Sequence, residues 1–156
     1  MDINFEYSFP AVNEKNICDF EKKYNITIPD EYKKFLLLYN GGKADRRRFT
    51  IRDDKGATTT SSIMMFFPLS QETEHNLEEM YLHYNRGNIV PENFLPIGID
   101  PADSLICLSI KGKDRGYVYF CDLDYFEEDN ELKEEYIIRM EQSFNSLVNN
   151  LFLPPA

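Results

Sequence analysis

The chain has 156 residues, of which 42% are hydrophobic and 14% aromatic. This length and composition predict one folded domain over residues 1–156 and exclude a low-complexity disordered chain. Twenty-seven acidic residues against 17 Lys and Arg give a formal net charge of -10. A charge of that sign repels phosphate backbones, so it argues against direct nucleic-acid binding and favours a basic protein as the partner.

The sequence also restricts the compartment in which we expect the protein. It contains no run that approaches the roughly 18 apolar residues of a transmembrane helix, and its first residues include acids where a secretory signal needs basic residues. We therefore expect a cytoplasmic chain with no membrane association. The three cysteines, Cys18, Cys107 and Cys121, lack C-x-x-C spacing, so we expect buried, reduced thiols rather than a disulfide or a zinc site.

Two helices are predicted near the start of the chain. The first is capped by Asn13 and ended by Asn25, a residue that tolerates the left-handed conformation. The second begins at Pro29, because a missing N–H costs nothing in the first turn of a helix. We expect Asn40-Gly41-Gly42 to form the C-cap of this second helix.

The middle of the chain mixes strand and helix signals. Residues 49–52 alternate weakly and precede a turn at 53–56, and the apolar run 63–67 predicts a buried strand. Ser70 is expected to cap a third helix that ends before Gly87.

Strand signals dominate the second half of the chain. Three strand-like runs follow one another, over residues 94–99, 105–110 and 117–121. The connection 111–116 is too short for a parallel crossover, so it predicts an antiparallel hairpin. Residues 136–140 fit a strand or a helix equally well, and Ser143 opens a last helix. This order predicts an α+β single domain, with an antiparallel or mixed β-sheet flanked by about four α-helices.

Several short motifs occur in the order that is typical of one superfamily. Phe20-Glu21, Ile28-Pro29 and Asn40-Gly41-Gly42 match its Phe-Glu pair, its Leu/Ile-Pro step and its helix that ends in Asn-Gly-Gly. Further matches cover its Pro-Ile-Gly step, its next two strands and the start of its last helix, at residues 95–98, 106–108, 116–120 and 143–144. On these motifs the chain resembles the SUKH superfamily, which joins fungal cell-wall-synthesis regulators of the Smi/Knr type to bacterial toxin-immunity proteins.

The sequence departs from the pattern of this superfamily in two loops. Asp100-Pro101-Ala102-Asp103 stands where many members have a Gly-rich turn, and the acidic segment 122–135 is longer than usual. Because both departures lie in loops, they concern the identity of the partner rather than the fold.

Residues suited to catalysis or metal binding are sparse. His75 and His83 are both expected on the third helix, roughly 12 Å apart, which is too far for a shared metal. Residues 122–133 match a calcium loop only in part, because Glu127 replaces its glycine and Lys133 its final acid. No G-x-S-x-G, H-E-x-x-H or Gly-rich phosphate motif is present. We therefore expect a chain that is not an enzyme and that has neither a metal nor a cofactor.

Charge segregation is the strongest functional signal of the sequence. From Asp122 to Glu141, nine acids stand against Lys133 and Arg139, whereas residues 43–55 are rich in Lys and Arg. Such a stretch is either a solvated loop or a surface that captures a basic partner. The predicted partner-binding residues are five capture charges and two aromatic anchors: Asp122, Asp124, Glu127, Glu128 and Asp129, with Tyr125 and Phe126.

The leading hypothesis for the function follows from the resemblance, and the charge agrees with it. It is an intracellular immunity protein that binds and neutralises a cognate polymorphic protein toxin with a basic surface, such as a nuclease. The alternatives are a regulatory scaffold similar to the fungal cell-wall regulators and a small-ligand-dependent enzyme on the same fold.

Overall fold

The computed structural model describes residues 3–155. Within them lie nine strands: β1 (Phe5–Phe9), β2 (Asn40–Ala44), β3 (Arg48–Arg52), β4 (Thr58–Ser62), β5 (Met65–Phe66), β6 (Phe94–Ile99), β7 (Leu105–Ser109), β8 (Val118–Cys121) and β9 (Ile137–Glu141). The α-helices are α1 (Glu14–Tyr24), α2 (Asp30–Leu38), α3 (Leu77–Met80), α4 (Phe126–Asp129) and α5 (Phe144–Asn150). A π-helix (Tyr81–Arg86) continues α3, and a 3-10 turn (Glu134–Tyr136) precedes β9.

Seven of these strands form one sheet in the order β1-β2-β5-β6-β7-β8-β9. Every neighbouring pair in it is antiparallel, and β3 and β4 form a separate antiparallel hairpin. The α+β class that the sequence predicts is therefore confirmed, and the sheet is antiparallel rather than mixed within residues 3–155.

Local signals place the first helix and the last helix correctly. Asn13 caps α1 in a reciprocal pair with Asn16, and Asn25 ends the helix in the left-handed region at φ 54°. The side chain of Ser143 caps α5 by accepting a hydrogen bond from the backbone N–H of Ser146 at 3.0 Å. These signals act over three or four residues, so they do not depend on the rest of the fold.

Glu21, the acid of the Phe-Glu motif, has a structural role. Its buried carboxylate accepts a hydrogen bond from the backbone N–H of Ile28 at 2.7 Å and lies 3.1 Å from the ammonium of Lys33. The side chain thus stabilises the connection between α1 and α2, because a buried backbone N–H without a hydrogen-bond partner would destabilise the fold.

The prediction that Asn40-Gly41-Gly42 caps the second helix is wrong. The helix α2 ends at Leu38, and the Asn-Gly-Gly residues begin β2. Gly42 has φ 108°, and a Cβ there would overlap the carbonyl oxygen of Tyr7 on β1. The side chain of Asn40 meanwhile binds the backbone of Pro10 and Leu69. The motif therefore permits the close approach of two strands, which only glycine allows at this backbone conformation.

The segment between β4 and β6 differs from its prediction in three ways. The strand expected over 63–67 is shortened to Met65–Phe66. The third helix begins at Leu77, because the side chain of Asn76, not of Ser70, accepts a hydrogen bond from a first-turn N–H. His75 consequently lies before the helix, while His83 lies in the π-helix.

The second half of the sheet follows the prediction closely. Strands β7 and β8 pair from Leu105–Cys121 to Leu108–Val118, which confirms the hairpin. The ambiguous residues 136–140 belong mainly to β9. Strands β1 and β4 and the short helix α4 were not predicted. β4 and α4 have no regular apolar pattern, whereas the alternation of aromatic and polar residues in β1 is a strand signal that the prediction missed.

Aromatic side chains join the helices and the hairpin to the sheet. The ring of Phe35 on α2 lies 5.2 Å from that of Phe66 on β5 and 4.8 Å from that of Phe144 on α5, between centroids. Phe49 of the β3–β4 hairpin contacts Phe120 of β8 at 5.7 Å. This last contact holds the hairpin against the sheet close to the start of the acidic segment.

The cysteines occupy two kinds of environment. Cys107 and Cys121 are buried in the sheet, as expected, and burial raises the pKa of the Cys107 thiol. Cys18 is exposed on α1, so the prediction of three buried thiols is wrong for this residue. Its position on the outer face of an amphipathic helix accounts for the exposure.

Candidate partner-binding surface

The acidic segment connects β8 to β9 and is held at both ends. The backbone N–H of Asp122 donates to the carbonyl of Tyr136 at 2.9 Å, and the N–H of Leu123 donates to the hydroxyl of Ser104 at 3.0 Å. Between these ends the chain forms α4 and the 3-10 turn. The charges of this segment therefore stand on ordered backbone rather than on an extended loop.

A groove of about 360 Å³ lies between this segment and the tip of the β3–β4 hairpin. Ile51, Phe120 and Ile138 are apolar residues that line it. The acidic residues lining it come from both sides: Asp53, Asp54, Asp122 and Glu135. Among the lining residues Lys55 is the one cation, so the groove combines apolar surface with a strong excess of negative charge. We name this groove, with its lining residues, the acidic groove.

Two tyrosines form one wall of the acidic groove. The rings of Tyr125 and Tyr136 stack with their centroids 5.1 Å apart. Tyr125 is 47% exposed, which is high for a large aromatic side chain. The stack thus offers a rigid aromatic surface to a partner.

Two pKa shifts in this region have desolvation as their main cause and neighbouring negative charge as a second cause. Partial burial, with the charges of Asp122 and Asp100, raises the pKa of Asp124. Desolvation, with the charges of Glu135 and Asp129, raises the pKa of Tyr136. In both cases neighbouring negative charges make a further negative charge costly, and the same neighbours favour an incoming cation.

Two of the seven predicted partner-binding residues line the acidic groove, and the other five do not. Asp122 and Tyr125 line it, and Asp124 lies between them in the chain. Glu127 and Glu128 are exposed on α4, whereas Asp129 lies 3.4 Å from the ammonium of Lys133. Phe126 is half-buried on α4.

The hairpin side of the acidic groove could not be found from the sequence. Asp53 and Asp54 belong to a predicted turn, in which the Asp53 carboxylate accepts the N–H groups of Lys55 and Ala57, each at 2.9 Å. Nothing in that turn indicates that it lies against a segment some 70 residues further along the chain. The visible signal was only the Asp53-Asp54 pair, within a region that is otherwise rich in Lys and Arg.

The basic residues between 43 and 55 are partly neutralised by another strand. Glu6 on β1 lies 3.4 Å from the ammonium of Lys43 and 3.3 Å from the guanidinium of Arg47. These ion pairs neutralise part of the positive charge that the sequence indicates for residues 43–55.

The loop of Asp100 to Asp103 has a structural explanation. The buried carboxylate of Asp100 accepts hydrogen bonds from the N–H groups of Ala102 and Ser104, at 3.0 and 2.8 Å, and from the hydroxyl of Ser61 at 2.9 Å. Asp100 therefore closes the β6–β7 turn and ties it to β4, a role that a glycine could not fill.

Across residues 3–155, no three His, Cys, Asp or Glu side chains come together as a possible metal site. The same residues contain no helix with the length and apolar character needed to cross a bilayer.

No protein of curated function matches the sequence. The model of the SMI1/KNR4 family (SUKH-1) matches residues 11–150. This match covers nearly the whole chain, from the cap of α1 to the last residue of α5, and the chain therefore belongs to the SMI1/KNR4 (SUKH-1) family.

Proposed function

We propose that this protein is an immunity-type binding protein that captures a basic protein toxin at the acidic groove and neutralises it without a chemical step. The single observation that carries the proposal is the acidic groove itself, whose lining combines apolar surface with four carboxylates and only one lysine. Family membership supports a protein-binding role, because the superfamily that the sequence resembles joins immunity proteins and regulators.

The acidic groove suits a basic partner for two physical reasons. Clustered negative charge raises the rate of encounter with a basic surface, by roughly 10- to 1000-fold at low salt. Apolar surface beneath the charges accepts the aliphatic part of a lysine or arginine, whose charged end then meets the carboxylates. Tyr125 adds exposed aromatic area of the kind that dominates binding energy at protein interfaces.

A nuclease toxin fits this chemistry best. An enzyme that holds a phosphate backbone is basic at its active site. An acidic inhibitor that covers that site replaces the phosphates with carboxylates and excludes the substrate.

Co-expression with a toxin encoded beside the gene tests the proposal, with host-cell survival as the readout. A triple variant, Asp54→Lys, Asp122→Lys and Glu135→Lys, reverses charge on both sides of the acidic groove. The control reverses three exposed acids elsewhere, by Glu14→Lys, Glu72→Lys and Glu74→Lys, and produces the same change in net charge.

We expect the groove variant to lose protection and the control to keep it. The affinity of the wild-type protein for the toxin should also fall as salt rises, because ions screen the charges that attract the partner. Equal protection by both variants would refute the acidic groove as the binding site. Binding to cell-wall synthesis proteins, with no neutralised toxin, would instead favour the regulatory scaffold.

A further inference from the structure

A second groove, of about 730 Å³, lies between the end of α1, the π-helix and the turn that joins β7 to β8. Its charge is opposite to that of the acidic groove. Three cations line it, Arg86, Lys111 and Arg115, against the single carboxylate of Glu92. In a chain with 27 acids and 17 basic residues, this local excess of positive charge is notable. We name this site the basic groove.

The carboxylate of the basic groove neutralises little of this charge. Glu92 lies 3.3 Å from the ammonium of Lys111, but the two side chains are 86% and 59% exposed. An ion pair that open to water contributes little and is easily exchanged. Within residues 3–155, neither Arg86 nor Arg115 forms an ion pair with an acidic side chain.

Both guanidinium groups are held in place by neutral oxygen atoms. Arg86 donates from Nη2 to the carbonyl of Tyr24 at 3.1 Å and from Nε to the hydroxyl of Tyr81 at 3.4 Å. Its guanidinium also lies 5.7 and 5.5 Å from the ring centroids of the same two tyrosines. Arg115 donates from Nε to the carbonyl of Ile110 at 3.1 Å and from Nη2 to that of Thr27 at 3.2 Å.

The two arginines use the same edge of the guanidinium for these bonds. In each, Nε and Nη2 are occupied, while Nη1 donates to no residue within 3–155. The bonds made by Nε and Nη2 fix the end of α1, which is a structural role. That role does not involve the second edge of either guanidinium. That edge, Nη1 with the remaining Nη2 hydrogen, has the two-donor geometry that binds phosphate oxygens in pairs.

A buried amide adds an acceptor to the basic groove. Asn85 lines it and is 4% exposed. Its Nδ2 donates to the carbonyls of Glu92 and Phe94, at 2.9 and 2.8 Å, whereas its Oδ1 accepts no hydrogen bond from a residue within 3–155. This amide oxygen, which has no partner in the protein, can accept a hydrogen bond from a ligand hydroxyl.

We infer that the basic groove binds the phosphoryl group of a small ligand between the free edges of Arg86 and Arg115, with Lys111 beside it. The volume lies within the range of small-ligand sites, roughly 300–1000 Å³. The ligand is free phosphate or a small phosphate ester, and Asn85 favours an ester that carries a hydroxyl. This site is separate from the acidic groove, so it does not depend on the proposed toxin partner.

Titration of the purified protein with inorganic phosphate, ribose 5-phosphate and ribose tests this inference. The readout is amide chemical shifts, which should change around residues 24–27, 85–88 and 110–115. We expect saturable binding of both phosphate compounds below about 10 mM and none of ribose. Tighter binding of ribose 5-phosphate would identify an ester as the ligand, and equal affinity would identify free phosphate.

Three variants of the basic groove and one control variant locate the site. Arg86→Gln and Arg115→Gln should each weaken phosphate binding about tenfold, whereas Arg46→Gln, an exposed arginine in the β2–β3 connection, should not change it. Glu92→Gln removes a carboxylate that is exposed, so it should leave the fold intact and strengthen binding. Absence of saturable binding, shifts confined to other regions, or unchanged binding in the folded Arg86 and Arg115 variants would overturn the inference. So would a Glu92→Gln variant that binds phosphate more weakly.

Discussion

Removal of one hydroxyl group should make this protein more stable. Tyr32 on α2 is 1% exposed and packs against Phe35 and Phe144. Among residues 3–155 its hydroxyl is the one side-chain polar atom that is both shielded from solvent and without a hydrogen-bond partner. Burial accordingly raises the pKa of Tyr32, because the charged form has nothing to stabilise it. Tyr32→Phe deletes this oxygen and leaves the ring in place.

The expected gain follows from two opposing contributions. A buried hydroxyl without a partner costs about 1–3 kcal/mol of desolvation. Deletion of its oxygen forfeits a few van der Waals contacts at about 0.1–0.2 kcal/mol each. The net change in the free energy of unfolding should be an increase of about 0.5–2 kcal/mol. For a domain of this size that corresponds to a rise in Tm of roughly 1–8 °C.

Urea unfolding, followed by circular dichroism and combined with calorimetric Tm values, measures this change. The matched control is Tyr119→Phe, which deletes the same atom from a hydroxyl that donates to the Asp114 carboxylate at 2.7 Å. The control should lose about 1 kcal/mol or more, because its bond is made to a charged group. If Tyr32→Phe lost stability as the control does, the hydroxyl would have a partner such as a buried water, and our reasoning would be refuted.

Three further predictions concern the backbone, the thiols and the response to pH. Gly42→Ala should lower the free energy of unfolding, measured in urea, by about 3 kcal/mol or more, because backbone strain and overlap with β1 add. Gly56 has φ 81° and open space around it, so Gly56→Ala should lower the same free energy by only about 1 kcal/mol. A thiol-reactive dye should label one cysteine of the native protein, Cys18, and all three after denaturation; rapid native labelling of a second would contradict the burial. Burial and the bond to Asp114 raise the pKa of Tyr119 to about 12, against about 10 when unfolded. The stability from this group should be complete below about pH 10 and decline as pH rises towards 12; Tyr119→Phe should reduce that decline, and an equal decline in both proteins would exclude the residue as its source.

Sequence signals that act within a few residues were sufficient to predict much of the fold. Asn13, Asn25 and Ser143 mark helix ends because each bonds to backbone groups of its own helix. The short turn 111–116 likewise allows only a hairpin. Together with the ordered motifs, these features predicted the α+β class and the family, and neither depends on the exact packing of the chain.

Other features depend on residues that are distant in the chain. Gly42 belongs to a strand rather than to a helix cap because the Tyr7 carbonyl approaches it, and no property of the Asn-Gly-Gly motif specifies that neighbour. The acidic segment was visible in the sequence, but the groove requires long-range contacts, among them that of Phe49 with Phe120, which bring the hairpin tip against it. The basic groove likewise requires Arg115 to reach the carbonyl of Thr27, 88 residues away in sequence. Sequence alone determined both ends of α1, the start of α5, the hairpin and the net charge, since these are local or additive properties. Tertiary structure decided which charges share a surface, because that depends on the packing of side chains far apart in the chain.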